Sequence, residues 1–444
     1  MIPDTDLNAM VETGNRGTLR ATLLQMHPAD IARFVDDLTD ENRLFIFSLL
    51  SNPVAAEVLD EAQEDTTETL IEGTEWDRMS RVVEQLEADD AAELIADLSD
   101  ENAAQLLRSM PDEAARDLKD VLAYGDDSAG RLMTTTYVAV RHDHSVRQAL
   151  DGVRKQIQRA DDIYYLYVVD ASDTLVGVVS LRALVATPPD IDVGLICDPD
   201  VVRVSAHTDR ELVAQSMAKY DLLAIPVVDD NGRLVGMITI DDAVDVLTEE
   251  AVEDLLRVSG SFEEPTSRRP RLFGPVFYRL PWLLVTVVGE LAVGLLMSSY
   301  IDQIQRLIVL ALFIPIVTAT AGSVGVQSLA AALGAFQEGR PPSHPVRRAL
   351  RETRYGLMLG LASGLVAGAL AYVWQLDPWL GLHIGVSMTL ALTLAAGLGS
   401  AVPLALGRFG VDPTIASGPL ITTINDALSL AIYLGLAGVF LVGA

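Results

Sequence analysis

Acidic residues crowd into a short stretch of the chain between residues 241 and 254. They are Asp241, Asp242, Asp245, Glu249, Glu250, Glu253 and Asp254. On a helix, like charges three or four residues apart repel by about 0.2–0.5 kcal/mol per pair, and the next basic residue is Arg257. Mg²⁺ and Ca²⁺ prefer oxygen ligands such as these carboxylates. The stretch therefore predicts bound divalent cations, with an ordinary solvated acidic surface as the alternative.

A second type of carboxylate lies inside an apolar segment. Asp426 is flanked by Ile424, Asn425, Ala427 and Leu428. A charge at the centre of a membrane helix costs about 2.5–3.5 kcal/mol on insertion scales, and no Lys or Arg stands at comparable depth. The sequence therefore predicts an aspartate that faces a water-filled path and a mobile cation. The alternative is an aspartate that caps a broken helix or is protonated within the bundle.

Glu290 is the other carboxylate deep in an apolar segment. A position at the pore entrance or at a contact between subunits is one interpretation, and a protonated or helix-paired structural role is equally compatible with the sequence. Helix breaks around Pro315 and around Gly418 and Pro419 would expose backbone carbonyls to a cavity.

Charge divides the 444-residue chain into two unequal parts. The net charge is −30, but residues 280–444 contain seven basic and seven acidic residues. The excess therefore belongs to residues 1–279, with 25 basic and 55 acidic residues. Such acidity argues against a nucleic-acid partner, because phosphate neutralisation requires Lys and Arg.

Five apolar segments in the last third are long enough to cross a bilayer. They cover about residues 280–301, 307–336, 355–374, 381–406 and 418–442, and about 20 residues suffice for each crossing. Arginines are concentrated before the first segment, between the second and third, and between the fourth and fifth. By the positive-inside rule, the acidic region is expected to be cytoplasmic, and the C-terminus outside.

The region before the membrane segments contains two kinds of internal repeat. Within residues 7–125, the phrases "MHPADIARFVDDLTDENRLFIFSLL" and "LEADDAAELIADLSDENAAQLLRSM" share an acidic cap and helical spacing of apolar residues, which predicts an all-helical repeat domain. Further on, "VVDASDTLVGVVSLRALV" matches "VVDDNGRLVGMITIDDAV" at an offset of 59 residues. Each copy predicts a strand, a turn, a strand and a helix.

These repeats resemble a pair of CBS domains, and the whole arrangement resembles the MgtE family of magnesium channels. The match rests on segments such as "RLPWLL", "IPVVDDNGRLVGMITIDDAVDVLTEEAVEDLL" and "GVDPTIASGPLITTINDALSLAIYL". The resemblance implies a multidomain membrane protein: a helical domain over residues 1–130, an α/β CBS pair over 131–246, a connecting helix and linker over 247–279, and a five-helix pore domain over 280–444. Ser323 departs from the family, which usually has Asn there.

The resemblance also implies functional residues. It implies that Asp426 lines the pore at a two-fold axis, one copy per subunit, with backbone carbonyls such as that of Thr422 beside the ion. Gly418, Glu290 and Ser323 complete the candidate pore set on the grounds of their own positions, Ser323 standing where the family has Asn. The metal-binding set is Asp426, Asp242, Asp245, Glu250, Glu253, Asp254, Asp221, Asp209, Glu211, Asp89, Glu93 and Glu57. Tyr165 and Arg182 stand where the family would contact the base and phosphates of ATP, although Ala183 and Leu222 depart from the acidic and aromatic residues expected nearby.

The expected function is a homodimeric Mg²⁺ channel of the plasma or inner membrane, closed by cytoplasmic Mg²⁺ between the acidic domains. Two alternatives remain open at this point. A secondary transporter of divalent cations such as Mg²⁺ and Co²⁺ would need another titratable group at pore depth, and a membrane-tethered sensor would leave Asp426 unexplained. An enzyme is the least supported class, because the chain has no phosphate-binding loop and no Cys/His cluster.

Overall fold

The structure is a computed structural model that describes residues 7, 10–11, 16–156, 165–260, 274–337, 344–409, 411–416 and 418–441. The chain forms two compact units. The first comprises residues 1–248 and 266–268, and the second comprises residues 249–265 and 269–444.

Short helices build the first part of unit one. Among the described residues they are α1 (Arg16–Leu23), α2 (Pro28–Asp36), α3 (Asp40–Leu49), α4 (Asn52–Asp60), α5 (Glu64–Gly73), α6 (Trp76–Val83), α7 (Ala88–Asp97), α8 (Asp100–Ser109) and α9 (Asp112–Leu122). Most of them pack against the next helix but one, such as α4 against α6 and α7 against α9, and bury leucine, isoleucine and valine between them. The predicted helical domain is confirmed.

Two three-stranded sheets follow. The first contains β1 (Ala139–Arg141), β2 (Tyr165–Val169) and β3 (Leu175–Ser180), and the second contains β4 (Val204–Ser205), β5 (Ala224–Val228) and β6 (Leu234–Thr239). The central strand of each sheet pairs with one parallel and one antiparallel neighbour. Val168 opposes Gly177 in the first sheet, and Val227 opposes Gly236 in the second, so the register reproduces the 59-residue offset of the sequence repeat.

Helices α10 (Val146–Gln156) and α12 (Arg210–Tyr220) precede the central strands, and α11 (Leu181–Ala186) follows the first sheet. After the second sheet the chain continues into α13 (Ile240–Ser259), the predicted connecting helix. The predicted strand-turn-strand-helix units are therefore present. Strand β1 overlaps the β-branched run of residues 137–140, whereas the edge strand β4 was not predicted.

Long helices form unit two: α14 (Gly274–Ser298), the short α15 (Ile301–Arg306), α16 (Val309–Gln337), α17 (Pro345–Gln375), α18 (Pro378–Arg408) and α19 (Gly418–Phe440). By length and composition, five of the described helices can cross a membrane, as predicted. The predicted break at Pro315 is wrong, because α16 runs through this residue without interruption. Membrane helices tolerate an internal proline where neighbouring helices satisfy the freed backbone groups.

Candidate metal sites

Three aspartates from two distant parts of the sequence meet in unit one. Asp89 and Asp90 lie in the first turn of α7, and Asp242 lies in the first turn of α13. One carboxylate oxygen from each lies within 4.8 Å of the other two. Because a helix N-terminus carries partial positive charge, each first turn favours acidic side chains locally. The fold brings the two acidic turns together, and we refer to these three residues as the aspartate cluster.

Hydrogen bonds fix part of the aspartate cluster and leave another part unsatisfied. Asp242 Oδ2 accepts from the Thr239 hydroxyl at 2.6 Å and from the Thr239 backbone N–H at 3.2 Å. Asp89 is only 7% exposed, and its Oδ1 has no hydrogen-bond partner among the described residues. A buried carboxylate oxygen without a donor is costly, and a bound cation would satisfy it.

Burial and mutual repulsion raise the pKa values of these three carboxyl groups. Burial and then the charges of Asp60 and Asp242 raise the pKa of Asp90 to about 8. Burial and then the charge of Asp90 raise the pKa of Asp89 well above its usual range. Burial raises the pKa of Asp242 to about 6, against the opposing hydrogen bond from Thr239. Without a cation, the cluster therefore retains protons near neutral pH.

Asp60, at the end of α4, belongs to the surroundings of the aspartate cluster. Asp60 reaches solvent, but its partial desolvation among these helices and then the charges of Glu61, Glu93 and Asp242 raise its pKa to about 7. Neither Asp60 nor Asp90 was predicted from the sequence as a metal ligand. The usable signal for Asp90 was its position beside Asp89 in the phrase "LEADDAAEL", whereas Asp60 depends on packing that no local pattern records.

The other sensor residues predicted in unit one lie outside the aspartate cluster. Glu93 is exposed, and its charge contributes to the raised pKa values of Asp60 and Asp90. Asp245 is also exposed and acts on Asp60 through its charge. Glu57 is exposed on α4, and it is not part of the group of clustered carboxylates found in the described part of the chain.

Three predicted metal ligands on α12 have local structural roles. Asp209 is the N-cap and accepts hydrogen bonds from the backbone N–H groups of Glu211 and Leu212. Glu211 Oε1 accepts from the Gln215 side chain at 2.9 Å. Asp221 ends the helix in the left-handed conformation, with φ at 54°. The structure thus does not bring these three residues to the aspartate cluster, and their metal-binding role stays a prediction.

The remaining predicted sensor residues lie on the part of α13 that belongs to unit two. Glu250 and Asp254 are half-buried. Glu253 forms an ion pair with Arg257, and Arg257 also contacts Asp412 at 3.3 Å. Arg257 is the next basic residue along the sequence, and it neutralises the charge of Glu253 directly. One helical turn suffices for the pairing, because residues i and i+4 share a face.

Tyr165 and Arg182, the predicted nucleotide contacts, lie at one end of the first sheet. Tyr165 pairs with Ser180 across the β2–β3 ladder, and Arg182 follows two residues later, exposed in the first turn of α11. Tyr165 is partly buried against the apolar residues around Tyr167. The two residues therefore lie near each other along the backbone of this sheet, and their nucleotide-binding role stays a prediction.

Asp426 lies in the middle of α19 and is half-buried. A β-carbon at Gly322 of α16 would lie 3.8 Å from Asp426 Oδ1 and 3.1 Å from Thr422 Cγ2, so both residues face the same glycine. The Glu290 carboxyl group of α14 lies close enough to the Asp426 carboxyl group for their charges to interact. Three membrane helices thus converge on a pair of carboxyl groups, which we call the carboxyl pair.

The other two predicted pore residues do not join the carboxyl pair. The Ser323 hydroxyl donates to the carbonyl of Ala319 on its own helix at 2.9 Å. Gly418 begins α19 about 12 Å before Asp426, at 1.5 Å per residue. A β-carbon at Gly418 would lie 2.9 Å from the carbonyl oxygen of Val258 at the end of α13, so this glycine permits a close helix contact.

Family models match the chain in three regions. Residues 314–436 match a divalent cation transporter model named MgtE, residues 26–127 match the MgtE intracellular N domain, and residues 129–189 and 192–249 each match a CBS domain. These matches agree with the helical domain, the two sheets and the membrane helices of the structure.

Two curated relatives are magnesium transporters. The magnesium transporter MgtE of Thermus thermophilus is 35% identical over 448 residues, which cover 98% of each chain. The magnesium transporter MgtE of Enterococcus faecalis is 37% identical over 328 residues, which cover 74% of this chain and 72% of that protein.

Solved structures match the cytosolic part of such proteins. The cytosolic domain of the Mg²⁺ channel MgtE in complex with ATP is 35% identical, with a TM-score of 0.53, and the match covers 55% of this chain and 100% of that one. The soluble part of a magnesium transporter is 30% identical, with a TM-score of 0.52, and the match covers 56% of this chain and 98% of that one. The chain therefore belongs to the MgtE family of magnesium transporters, a family of membrane transport proteins and not of enzymes.

Proposed function

We propose that this protein is a Mg²⁺-selective channel that closes when cytoplasmic Mg²⁺ occupies the aspartate cluster. The observation that carries the gating proposal is the meeting of Asp89, Asp90 and Asp242 within 4.8 Å, with one buried Asp89 oxygen lacking a donor in the described residues. Mg²⁺ binds through one or two carboxylates and keeps several waters, so the cluster offers enough ligands for one ion.

The aspartate cluster joins the helical domain to the first turn of the connecting helix. When Mg²⁺ is abundant, the ion neutralises the three carboxylates and holds α7 against the start of α13. When Mg²⁺ is scarce, like charges repel and the contact weakens. The ion must bind the closed state more tightly than the open state, because equal affinities would shift no population.

The last turn of α13 supplies the link to the membrane helices. Val258 contacts Gly418 at the start of α19, and Arg257 contacts Asp412 just before that helix. Asp426 lies two turns further along α19. A displacement of α13 would therefore reach the helix that carries the proposed pore aspartate.

The carboxyl pair is the proposed ion-binding site of the pore. Asp426, with the backbone around Thr422, would hold a largely hydrated Mg²⁺ ion on a two-fold axis, facing Asp426 of the partner subunit in a homodimer. The arginine distribution supports a cytoplasmic acidic region and an outside C-terminus in the plasma or inner membrane.

Glu290 supports a second candidate, a secondary transporter of divalent cations. Such a mechanism needs a second titratable group at pore depth, and Glu290 meets Asp426 directly. A channel conducts without a coupled ion, whereas a transporter stops when its coupling gradient is removed. Mg²⁺ flux without any H⁺ or Na⁺ gradient would separate the two candidates.

Mg²⁺ flux into liposomes tests both parts of the proposal. Asp426→Asn should abolish flux, because the pore loses its carboxylate. Asp90→Asn with Asp242→Asn should conduct even at millimolar Mg²⁺ on the cytoplasmic side. Glu84→Gln with Asp230→Asn removes two charges from exposed positions and should behave as the parent. Full flux in Asp426→Asn would refute the pore assignment, and normal Mg²⁺ inhibition in the cluster variant would refute the gating assignment.

ATP is a proposed second ligand of the cytosolic region, because the cytosolic domain of a Mg²⁺ channel MgtE was crystallised in complex with ATP. Tyr165 and Arg182 would contact the base and the phosphates. Added ATP should raise the melting temperature of the parent and leave that of Arg182→Gln nearly unchanged. Equal increases in melting temperature in both proteins would show that Arg182 does not contact ATP.

A further inference from the structure

An open cavity of about 530 Å³ lies at one end of the membrane helices of unit two. It is lined by His344, Pro345, Val346, Arg347, Leu350 and Arg408. These residues come from the first turns of α17 and the last turn of α18. The lining therefore combines two arginines with apolar side chains. None of these residues belongs to the aspartate cluster or to the carboxyl pair.

The two arginines of the cavity have no carboxylate within 4.0 Å in the described part of the chain. The neighbouring Arg348 is different, because its guanidinium donates to the carbonyl of Ala331 on α16 at 2.9 Å. Arg347 and Arg408 thus offer two guanidinium groups, whose planar donor sets match phosphate oxygens.

Helix length places this cavity at the level of lipid headgroups. Helices α17 and α18 each have 31 residues and are therefore about 46 Å long, whereas the hydrocarbon core is about 30 Å thick. Their ends must project beyond the hydrocarbon. Arg347 precedes Tyr355, where the apolar part of α17 begins, by eight residues or about 12 Å.

Apolar side chains continue from the cavity towards the membrane interior. Val346 and Leu350 are 72% and 56% exposed, and Met358, Leu361 and Leu365 further along α17 are also exposed. These positions recur at helical spacing and form one outward stripe on α17. A molecule with an anionic head at the arginines and aliphatic chains along this stripe would satisfy both kinds of lining side chain.

We propose that the cavity binds the phosphate headgroup of an anionic glycerophospholipid, with Arg347 and Arg408 contacting the phosphate and the acyl chains following α17. Basic pockets between membrane helices bind such headgroups. The site goes beyond the proposed function and does not depend on it, because lipid binding requires neither the aspartate cluster nor Asp426.

Lipid binding to the full-length protein in zwitterionic detergent tests the proposal. We expect phosphatidylglycerol to bind at least tenfold more tightly than phosphatidylcholine with the same acyl chains. Arg347→Gln with Arg408→Gln should weaken phosphatidylglycerol binding by about 10- to 30-fold, since each surface arginine contributes about 1 kcal/mol towards anionic lipid. Native mass spectrometry and a fluorescence titration would both report the change.

Arg351→Gln with Arg354→Gln is the matched control, because it removes two exposed arginines from the same helix without touching the cavity. This variant should bind phosphatidylglycerol within about twofold of the parent. Equal losses in the two double variants would mean diffuse charge attraction and would overturn the site. Equal binding of the two lipids by the parent, or displacement of phosphatidylglycerol by equimolar inorganic phosphate, would also overturn it, whether or not the variants fold.

Discussion

Among single residues, the main feature of the protein is a group of carboxyl groups that are clustered and poorly solvated. Asp89 is buried without a donor to its Oδ1 in the described chain, while Asp90 and Asp242 lie beside it. The cost of this arrangement is reduced either by protons or by a divalent cation. The two solutions compete, because Mg²⁺ binds the deprotonated carboxylates.

The protein should therefore become less stable as pH rises, and bound Mg²⁺ should remove this pH dependence. The folded-state pKa values of about 6, 7 and 8 for Asp242, Asp60 and Asp90 lie above the usual value of 3.8. The folded state then binds more protons than the unfolded state, so the stabilisation is full below about pH 4 and is lost as pH rises through about 6 to 8. In metal-free buffer, the melting temperature should fall over this range, and saturating Mg²⁺ should remove the fall.

Differential scanning fluorimetry of the full-length protein from pH 5 to pH 9 measures this dependence. Asp90→Asn with Asp242→Asn should flatten the metal-free profile, because two of the shifted groups are gone. A metal-free melting temperature that rises from pH 6 to pH 8 would contradict the assignment of repulsion to these carboxylates.

Glu290 gives a prediction at the same scale in the membrane. Its side chain meets that of Asp426, so it adds a second carboxyl group to the proposed ion site. Glu290→Gln keeps a hydrogen-bonding side chain but removes the charge, and we expect Mg²⁺ flux to fall by about tenfold, equivalent to about 1.4 kcal/mol. Asp426→Asn should lose more. Parental flux in Glu290→Gln would show that this carboxyl group does not serve the ion.

At the scale of elements, α13 and α19 form the contact that would carry the gating signal. Arg257 bonds to Glu253 within α13 and to Asp412 before α19. Partly exposed ion pairs are each worth about 0.2–1 kcal/mol, so the contact biases the helices without locking them.

Arg257→Gln should loosen this contact. We expect the Mg²⁺ concentration that half-inhibits flux to rise by about two- to fivefold, because the closed state loses one or two weak ion pairs. Liposome flux at graded internal Mg²⁺ measures the shift. Arg154→Gln breaks an exposed ion pair with Asp151 on α10 and serves as the control. The same shift in both variants would mean that net charge, and not the α13–α19 contact, sets the inhibition.

The pairing of α17 and α18 depends on small residues. Gly356, Gly360, Gly364 and Gly368 are buried on one face of α17, and a β-carbon at Gly364 would clash with the carbonyl oxygen of Gly385. Because that atom belongs to the backbone, the two helices would have to separate.

Gly364→Ala should therefore lower the melting temperature of the detergent-solubilised protein by several degrees. Gly294→Ala is the matched control, because nothing lies within 4 Å of a β-carbon at that position among the described atoms. It should leave the melting temperature unchanged or raise it slightly, as alanine favours helix over glycine. Equal effects at the two positions would argue that glycine flexibility, and not close packing, matters in α17.

At the scale of the whole molecule, much of the fold was predictable from periodicity. Five apolar segments gave five long helices, and the 59-residue repeat reappears in the register of Val168 with Gly177 and of Val227 with Gly236. Periodicity within a segment depends only on neighbouring residues, so it predicts the secondary structure of that segment without knowledge of the tertiary fold. The edge strand β4 was missed because it is two residues long and pairs with a strand more than 20 residues away.

The candidate sites were less predictable, because they depend on which surfaces pack together. Asp242 and Asp89 were expected as ligands, but their meeting with Asp90 depends on how the helical domain packs against α13. Acidic residues at Asp209 and Asp221 matched the family pattern, yet they cap the two ends of α12. At Pro315, the break expected from proline chemistry is absent because α16 continues through this position.

A divalent cation bound by the aspartate cluster can be located in crystals of the protein grown with Mn²⁺ in place of Mg²⁺, with diffraction recorded near the manganese absorption edge. We expect an anomalous peak among the carboxylates of Asp89, Asp90 and Asp242, and loss of that peak in Asp90→Asn with Asp242→Asn. A map with Mn²⁺ bound elsewhere in the protein but no peak between these three side chains would contradict this expectation.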